Sequence, residues 1–470
     1  MSRLSRAVPA ARRIVDRFLP QGALVLSLLT LVYFAMGQVR NRVLATTFGL
    51  GEDLAVYNLA FRIPEVALDV LVAAGLTAPF VPIFSSLRRD DEKAANDFAR
   101  TVLTLAVAVM SLAMAILAVL APQIAEVVGR DLDPEARRVY VDLFRINCIG
   151  QILFAASITL GEVLIAHRRF FFYALALSLY TGGIVVGTVL AADAIGIYAP
   201  AWGAVAGAGA HMGVRAIGTL RTSFRIRPAL RVRTTAFREF VRLMIPRMVS
   251  YPIDPLLNTF FGVFALSFGV VAASALNFAD DYRVVPVSLI GAQFSLAIFP
   301  SLSAAFAEGD RAGFGSLLRR NLLVIGGLTT AGAIALAVIA PLLIDILLGG
   351  GAFGPDDVAV TAAILGAFAI SIPLDSLTYP LSRALYATHN TILQVIASIA
   401  SFATIVVTAL VLGPLVGIYS IPLGYAAGTA LKVVLLSVFL VARMRRLAWL
   451  PLAEAAGDEP ARASAVSEPR

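Results

Sequence analysis

Residues 98–127 read FARTVLTLAVAVMSLAMAILAVLAPQIAEV, and between Arg100 and Glu126 no side chain carries a charge. A helix that crosses a bilayer needs about 20 mostly apolar residues. This stretch exceeds that length and has no polar face to turn toward water. The rest of the 470-residue chain agrees with it: 59% of residues are hydrophobic, 14% are charged, and the mean hydropathy is +0.85. Soluble domains carry roughly 45–50% apolar and about 25% charged residues. Apolar runs predict helices over 22–48, 54–86, 98–127, 136–166, 170–192 and 199–220, then over 236–266, 270–306, 318–347, 357–386, 390–412 and 415–441. The expected fold is an all-α integral membrane protein of about twelve spanning helices. The net charge of +8 does not indicate nucleic acid, because a nucleic-acid binder does not also expose this much apolar surface. The single Cys148 excludes a disulfide framework and a thiolate metal cluster.

The end of the opening stretch reappears later. VLAPQIAEVVGRDLDPEARR (119–138) returns as VIAPLLIDILLGGGAFGPDD (338–357), with Pro122 matching Pro341 and Pro134 matching Pro355. LIAHRR (164–169) returns as LYATHN (385–390), and Pro64 matches Pro286. These offsets of 219–222 imply two pseudo-symmetric six-helix lobes around a central cavity, related by an axis along the membrane normal. The expected organisation is a basic N-terminal segment (1–21), an N-lobe (22–220), a basic linker (221–235), a C-lobe (236–441) and a polar tail (442–470).

Lys and Arg in short loops set orientation. One side collects 21 of them, among them Arg3, Arg88, Arg169, Arg227, Arg311 and Arg443, whereas the other shows Arg130, Arg137 and Arg138. The expected location is a bacterial inner membrane with both termini cytoplasmic. Positive-inside retention accounts for the arginines of 221–233 without a ligand; the alternative is contact with anionic lipid.

Charges at membrane depth are costly and are functional candidates by default. Arg62, Glu65 and Asp69 share one face of the second helix. Asp280, Asp281 and Arg283 stand on the eighth, Arg40 and Arg42 end the first, and Arg247, Asp254 and Asn258 lie on the proline-broken seventh. The competing reading is a set of internal ion pairs, Arg62 with Glu65 or Asp280 with Arg283, that only lock helices together. Asp142, Arg145, Asp375 and Arg383 are further charges, and Glu162 is placed near a cytoplasmic end where it can snorkel. The glycine-rich GAVAGAG (203–209) reads as close helix packing. No HExxH, GxSxG or GxxxxGK[ST] motif occurs, so neither an enzyme nor an ATP-driven engine is expected.

FGLGEDLAVYNLAFRIPE (48–65), AAGLTAPFVPIFSSL (73–87), FADDYRVVPVSLIGAQFSLAIFPSLSAAFAEGDRAGF (278–314) and LSRALYATHNTI (381–392) resemble signatures of the MurJ/MviN lipid II flippases. That family belongs to a superfamily with the multidrug (MATE) and polysaccharide-lipid exporters. The resemblance implies a two-lobed bundle with a cationic cavity that moves an undecaprenyl-pyrophosphate-linked peptidoglycan precursor, with consequences for the cell wall and cell shape. Arg40, Arg62 and Arg145 match basic positions of the family, whereas three others fall on Phe34, Leu68 and Asp281. The family's last two of fourteen helices are not expected here.

The function expected is therefore an alternating-access flippase for a lipid-linked glycan. Arg40, Arg42, Arg62, Arg283 and Asn258 are the substrate-binding candidates. Glu65, Asp69, Asp254, Asp280 and Asp281 are the cavity-lining or coupling candidates. No cofactor or metal is expected, and the drive is a coupling ion (H+ or Na+) or the membrane potential. Partners expected are the lipid-linked substrate, membrane lipids and cell-wall synthesis proteins, with no nucleic acid. The alternatives are a cation-coupled multidrug exporter and a non-transporting scaffold for cell-wall enzymes.

Overall fold

A computed structural model describes residues 23–250, 253–388 and 390–446. The terminal segments expected at 1–21 and beyond 446, His389, and the side chains of Arg247 and Asp254 lie outside the described residues. The first half consists of α1 (Ala23–Phe48), α2 (Glu52–Leu68), α3 (Ala74–Asp90), α4 (Glu92–Val128), α5 (Pro134–Ala166), α6 (Phe170–Ile195) and α7 (Tyr198–Leu220). Then come α8 (Thr235–Ser250), α9 (Ile253–Leu266), α10 (Val270–Pro286), α11 (Gln293–Ala307), α12 (Arg311–Leu348), α13 (Pro355–Ala369), α14 (Ser371–Ala387), α15 (Ile392–Val416) and α16 (Ser420–Arg446). Among the described residues the only β feature is a bridge between Gly350 and Phe353.

Each of the twelve expected helices coincides with one helix or with a broken pair. The second is α2 and α3 joined by a π turn at Asp69–Ala73, and the eighth is α10 and α11 joined by a π turn at Val287–Ala292. The tenth is α13 and α14, bent by 44°. Among the described residues, six continuous helical stretches, Val270–Ala307 with its π turn among them, are long and apolar enough to span alone, or seven if that bent pair counts as one. One of the six, Ile392–Arg446, runs through a short 3-10 turn and holds two expected helices. The length of α4, 37 residues or about 55 Å at 1.5 Å per residue, carries it beyond a hydrocarbon core of about 30 Å. Its start is set by Asp91, whose carboxylate accepts from the Lys93 and Ala94 amides, and α5 starts with Asp133 as cap and Pro134 in the first turn.

Local backbone geometry repeats with the sequence. Gly196 ends α6 at φ +56°, ψ −135°, and 221 positions later Gly417 ends α15 at φ +60°, ψ −137°. Gly49 (φ +61°) precedes α2 as Gly269 (φ +104°) precedes α10. Gly203 and Gly207 of α7 press on α6, where a Cβ would come within 2.5 Å of the Gly183 and Tyr180 carbonyl oxygens. At the same offset, Gly424 and Gly428 of α16 press on Ile405 and Ser401 of α15.

By packing, the chain divides into unit 1 (Met1–Val270 with Leu347–Gly354) and unit 2 (Val271–Ile346 with Pro355–Arg470). The repeat drew its boundary at the 221–235 linker; packing draws it at Val270. The reason is that α8 and α9 rest on the first unit, Met244 and Met248 against Gly75, and Gly262 against Leu59.

Candidate functional site

The polar set of unit 1 is built on α1, α2 and α6. The turn before α2 requires glycine at position 49, because a Cβ there would lie 2.6 Å from the Ala352 carbonyl oxygen. The Ala352 amide donates to the Thr46 carbonyl at 2.8 Å. Tyr57, Phe61 and Glu65 follow along α2 at four-residue spacing, Asp69 continues the row where the helix gives way to the π turn, and Arg62 stands on the neighbouring row. Arg40 on α1 folds onto buried Asn41, its Nε and Nη2 donating to Oδ1 at 3.1 and 2.7 Å. Glu65 lies in the electrostatic field of Arg62, Asp69 and Arg40. Tyr180 of α6 lies within electrostatic reach of Glu65, Tyr57, Arg40 and Tyr33.

Pro64 has no N–H for the carbonyl one turn before it. In that weakened turn Asn147 of α5 donates to the Phe61 carbonyl at 3.1 Å, and Gln151 donates to Asn147 at 2.8 Å. The π turn begins at Asp69, one helical turn beyond Glu65, and such turns concentrate at functional sites. Arg62, Glu65 and Asp69 are half-buried, Arg42 is exposed, and Asn258 is half-buried on α9. The arrangement offers an anion two guanidinium groups tempered by two carboxylates.

A second polar set ties α5 to α7, and the sequence reading missed most of it. Glu162 is 4% exposed, so it does not snorkel: its chain points into the packing beside Arg215, also buried. Arg215 donates to the Ser157 carbonyl at 2.9 Å and to the Tyr173 carbonyl at 3.3 Å, and its guanidinium stacks 4.6 Å over the Tyr173 ring. Ser157 Oγ meets His211 Nδ1 at 2.6 Å. Only the i, i+4 spacing of His211 and Arg215 on α7 signals this set in the sequence.

In unit 2, Arg283 is 5% exposed and engaged on several sides. Its Nε donates to Asp280 at 2.7 Å and its Nη1 to Asp375 at 3.0 Å. The Tyr425 hydroxyl donates to the same Asp375 oxygen at 2.7 Å, and the guanidinium lies 4.2 Å over the Tyr425 ring and 5.3 Å over that of Phe368. The Asp280–Arg283 ion pair, one of the two internal pairs considered from the sequence, is thus present. Asp281 is exposed, and α11 follows through the second π turn, where Gly291 passes so close to Ser376 that a Cβ would lie 2.8 Å from its Cα. Arg283, Asp280 and Asp281 belong to unit 2, whereas Arg40, Arg42, Arg62, Glu65, Asp69 and Asn258 belong to unit 1. Asp142 and Arg145 are exposed, with Tyr198 donating to Asp142 and Arg145 to the Ala118 carbonyl; Arg383 is half-buried over Phe299. Among the described residues no cluster of three His, Cys, Asp or Glu side chains is arranged to hold a metal.

The family profile described as "Lipid II flippase MurJ" matches residues 44–454. The chain is 26% identical over 433 residues to the lipid II flippase MurJ of Burkholderia cenocepacia, covering 90% of this chain and 83% of that one. It is 24% identical over 382 residues to the probable lipid II flippase MurJ of Rickettsia prowazekii, covering 79% and 74%. Among solved structures, a lipid II flippase MurJ in an inward closed conformation aligns with a TM-score of 0.74 at 19% identity, over 90% of this chain and 89% of that one. An inward-facing MATE multidrug resistance transporter aligns with a TM-score of 0.72 at 13% identity, over 88% and 96%. These two structural likenesses speak for the fold.

Proposed function

The chain belongs to the lipid II flippase MurJ family, and from that premise we propose that it moves lipid II, a polyprenyl-pyrophosphate-linked glycan, between leaflets by alternating access. A charged headgroup does not cross about 30 Å of hydrocarbon unaided. A polar surface inside an apolar bundle carries the headgroup while the polyprenyl tail stays in lipid. The observation that supports this reading is the polar set of unit 1, where Arg40 of α1, Tyr57, Arg62 and Glu65 of α2 and Tyr180 of α6 lie within one another's electrostatic reach. Guanidinium forks suit pyrophosphate oxygens bidentately, and the aromatic and amide groups around them suit sugar hydroxyls. Glu65 and Asp69 keep the site from holding an anion too tightly to release it. Arg42 and Asn258 extend the contact surface. Asp254, Asp280 and Asp281 are the candidates for a coupling proton or sodium ion; the guanidinium of Arg283 is the cation that such an ion would compete with. The membrane is the bacterial inner membrane, both termini are cytoplasmic, and cell-wall synthesis proteins are the partners.

The test is translocation of fluorescent lipid II in proteoliposomes holding the full chain. Wild type is expected to expose the headgroup to an external reagent, and Arg62→Ala to slow this about ten- to a hundredfold, the worth of a charged hydrogen-bonded contact. Arg62→Lys is expected to rescue partly. A wild-type protein that leaves lipid II in place but drives a cationic dye on a proton or sodium gradient overturns the reading in favour of a drug exporter.

A further inference from the structure

The arginine-rich linker between α7 and α8 is no loose tether. Phe224, 1% exposed, anchors its start, and Phe240 packs edge-on against Phe98 of α4 just beyond its end. From Phe224 to Thr234 the chain runs without helix or strand and is hydrogen-bonded to α4. The Arg100 guanidinium donates to the Arg225 carbonyl at 2.9 Å. The Ala229 amide donates to Thr104 Oγ1 and the Arg231 amide to Thr101 Oγ1, each at 3.1 Å. Both threonine hydroxyls spend their own protons on carbonyls one turn back in α4, so each has a lone pair left for the linker. Arg231 closes the docking with an ion pair to Asp97 at 3.0 Å.

These contacts set the linker's height on α4. Arg100 is the last charge before Glu126, so Thr101 and Thr104 stand in the first turns of the uncharged run. That run is about 37 Å long at 1.5 Å per residue, which puts its first turns at the edge of a hydrocarbon core of about 30 Å. At that height the linker turns Ile226 (47% exposed), Leu230 (66%) and Val232 (40%) outward. Exposed guanidinium groups at 225, 227, 231 and 233 alternate with them. Apolar side chains beside basic ones at the boundary match the chemistry of a membrane interface.

We propose that residues 224–233 form an interfacial binding site for anionic phospholipid, with Arg227 and Arg233 meeting the headgroup phosphates and Ile226, Leu230 and Val232 seated at the acyl boundary. The occupant follows from charge complementarity: five arginines stand between positions 221 and 233 without a single acid, and each basic residue at a membrane surface adds attraction to anionic lipid. The proposal rests on α4 spanning the bilayer and is independent of which substrate is flipped.

The experiment uses the full chain carrying Cys148→Ser and Leu230→Cys with an environment-sensitive dye, in vesicles of phosphatidylcholine with or without phosphatidylglycerol. Blue-shifted emission that strengthens with phosphatidylglycerol and weakens with salt is expected. In parallel, native mass spectrometry counts bound phosphatidylglycerol. Arg227→Gln with Arg233→Gln is expected to cut its retention about twenty-five-fold, at roughly fivefold per arginine. Arg130→Gln with Arg138→Gln removes the same charge elsewhere and is expected to leave retention intact. Water-like emission in both vesicles, or equal loss in both double variants, overturns the proposal. Emission unmoved by phosphatidylglycerol but shifted by an acidic protein would assign the linker to a protein partner instead.

Discussion

Arg283 shows how one residue's meaning depends on its neighbours. Two carboxylates, a hydroxyl and two rings surround it, so its charge is already balanced within unit 2. Removing one partner of a buried ion set strands the others, at about 3–5 kcal/mol. Arg283→Ala is therefore expected to lower the Tm of the detergent-purified protein strongly, and adding Asp375→Asn to recover part of the loss. Equal Tm values for the wild type and Arg283→Ala would mean that the set holds nothing. His167, in the loop after α5, gives a pH dependence. Its Nδ1 meets the Val163 carbonyl at 2.8 Å, while Nε2 is buried with no hydrogen-bond partner. Burial pushes its pKa below the ordinary 6.5; the Val163 carbonyl and Glu92 oppose this, and Arg88 and Arg169 add to it. The neutral ring is the one that fits. The unfolded chain takes up a proton near pH 6.5 and the folded chain only lower, so stability is intact above 6.5 and falls as pH drops below it. His167→Gln is expected to flatten the Tm profile between pH 6.5 and 5; an unchanged slope would assign the acid sensitivity elsewhere.

At the scale of elements, two devices recur in both halves. π turns break the second and eighth expected helices beside their charged residues, the first opening on Asp69 itself and the second at Val287, four positions after Arg283. Glycines let α7 and α16 lie against their neighbours. Gly207 is the sharper case because its neighbour is the backbone of Tyr180, a member of the candidate site. A methyl at 207 has to push α6 and α7 apart, and overpacking of this kind costs about 1–3 kcal/mol. Gly209, two residues on, has nothing within 4 Å of an added Cβ. Gly207→Ala is expected to lower Tm and slow transport, while Gly209→Ala raises stability by up to about 1 kcal/mol through helix propensity. If both variants behave alike, glycine serves the helix generally and not the α6–α7 approach.

For the whole molecule, the testable feature is orientation. The 21-to-three asymmetry of basic loop residues predicts that cysteines placed at Arg227 and Ser464 in a Cys148→Ser background resist an impermeant thiol reagent in intact cells. Labelling of either position would invert the topology. Cys148 itself is buried, so the substitution removes background without touching an exposed site. Membership of the family supports a transporter rather than an enzyme.

Hydropathy and spacing determined where the apolar helices lie along the chain, because each must satisfy its backbone within itself and show apolar side chains to lipid; their exact ends and the π turns at Asp69–Ala73 and Val287–Ala292 were decided by the structure. Hydropathy and spacing also determined the repeat, since equivalent turns need equivalent residues: Gly196 and Gly417 share one left-handed geometry that glycine adopts without strain. The charged face of α2 was legible for the same reason, its period being that of the helix. Partnership across helices was not legible. Tyr180 beside Glu65, Arg215 beside Glu162 and Asp375 beside Arg283 are separated by 53 to 115 positions, and helix periodicity carries no information about which faces meet. The linker is the clearest case. Its arginines were visible at once, but its height on α4 is set by two threonine hydroxyls, and only folding brings those to the linker's amides.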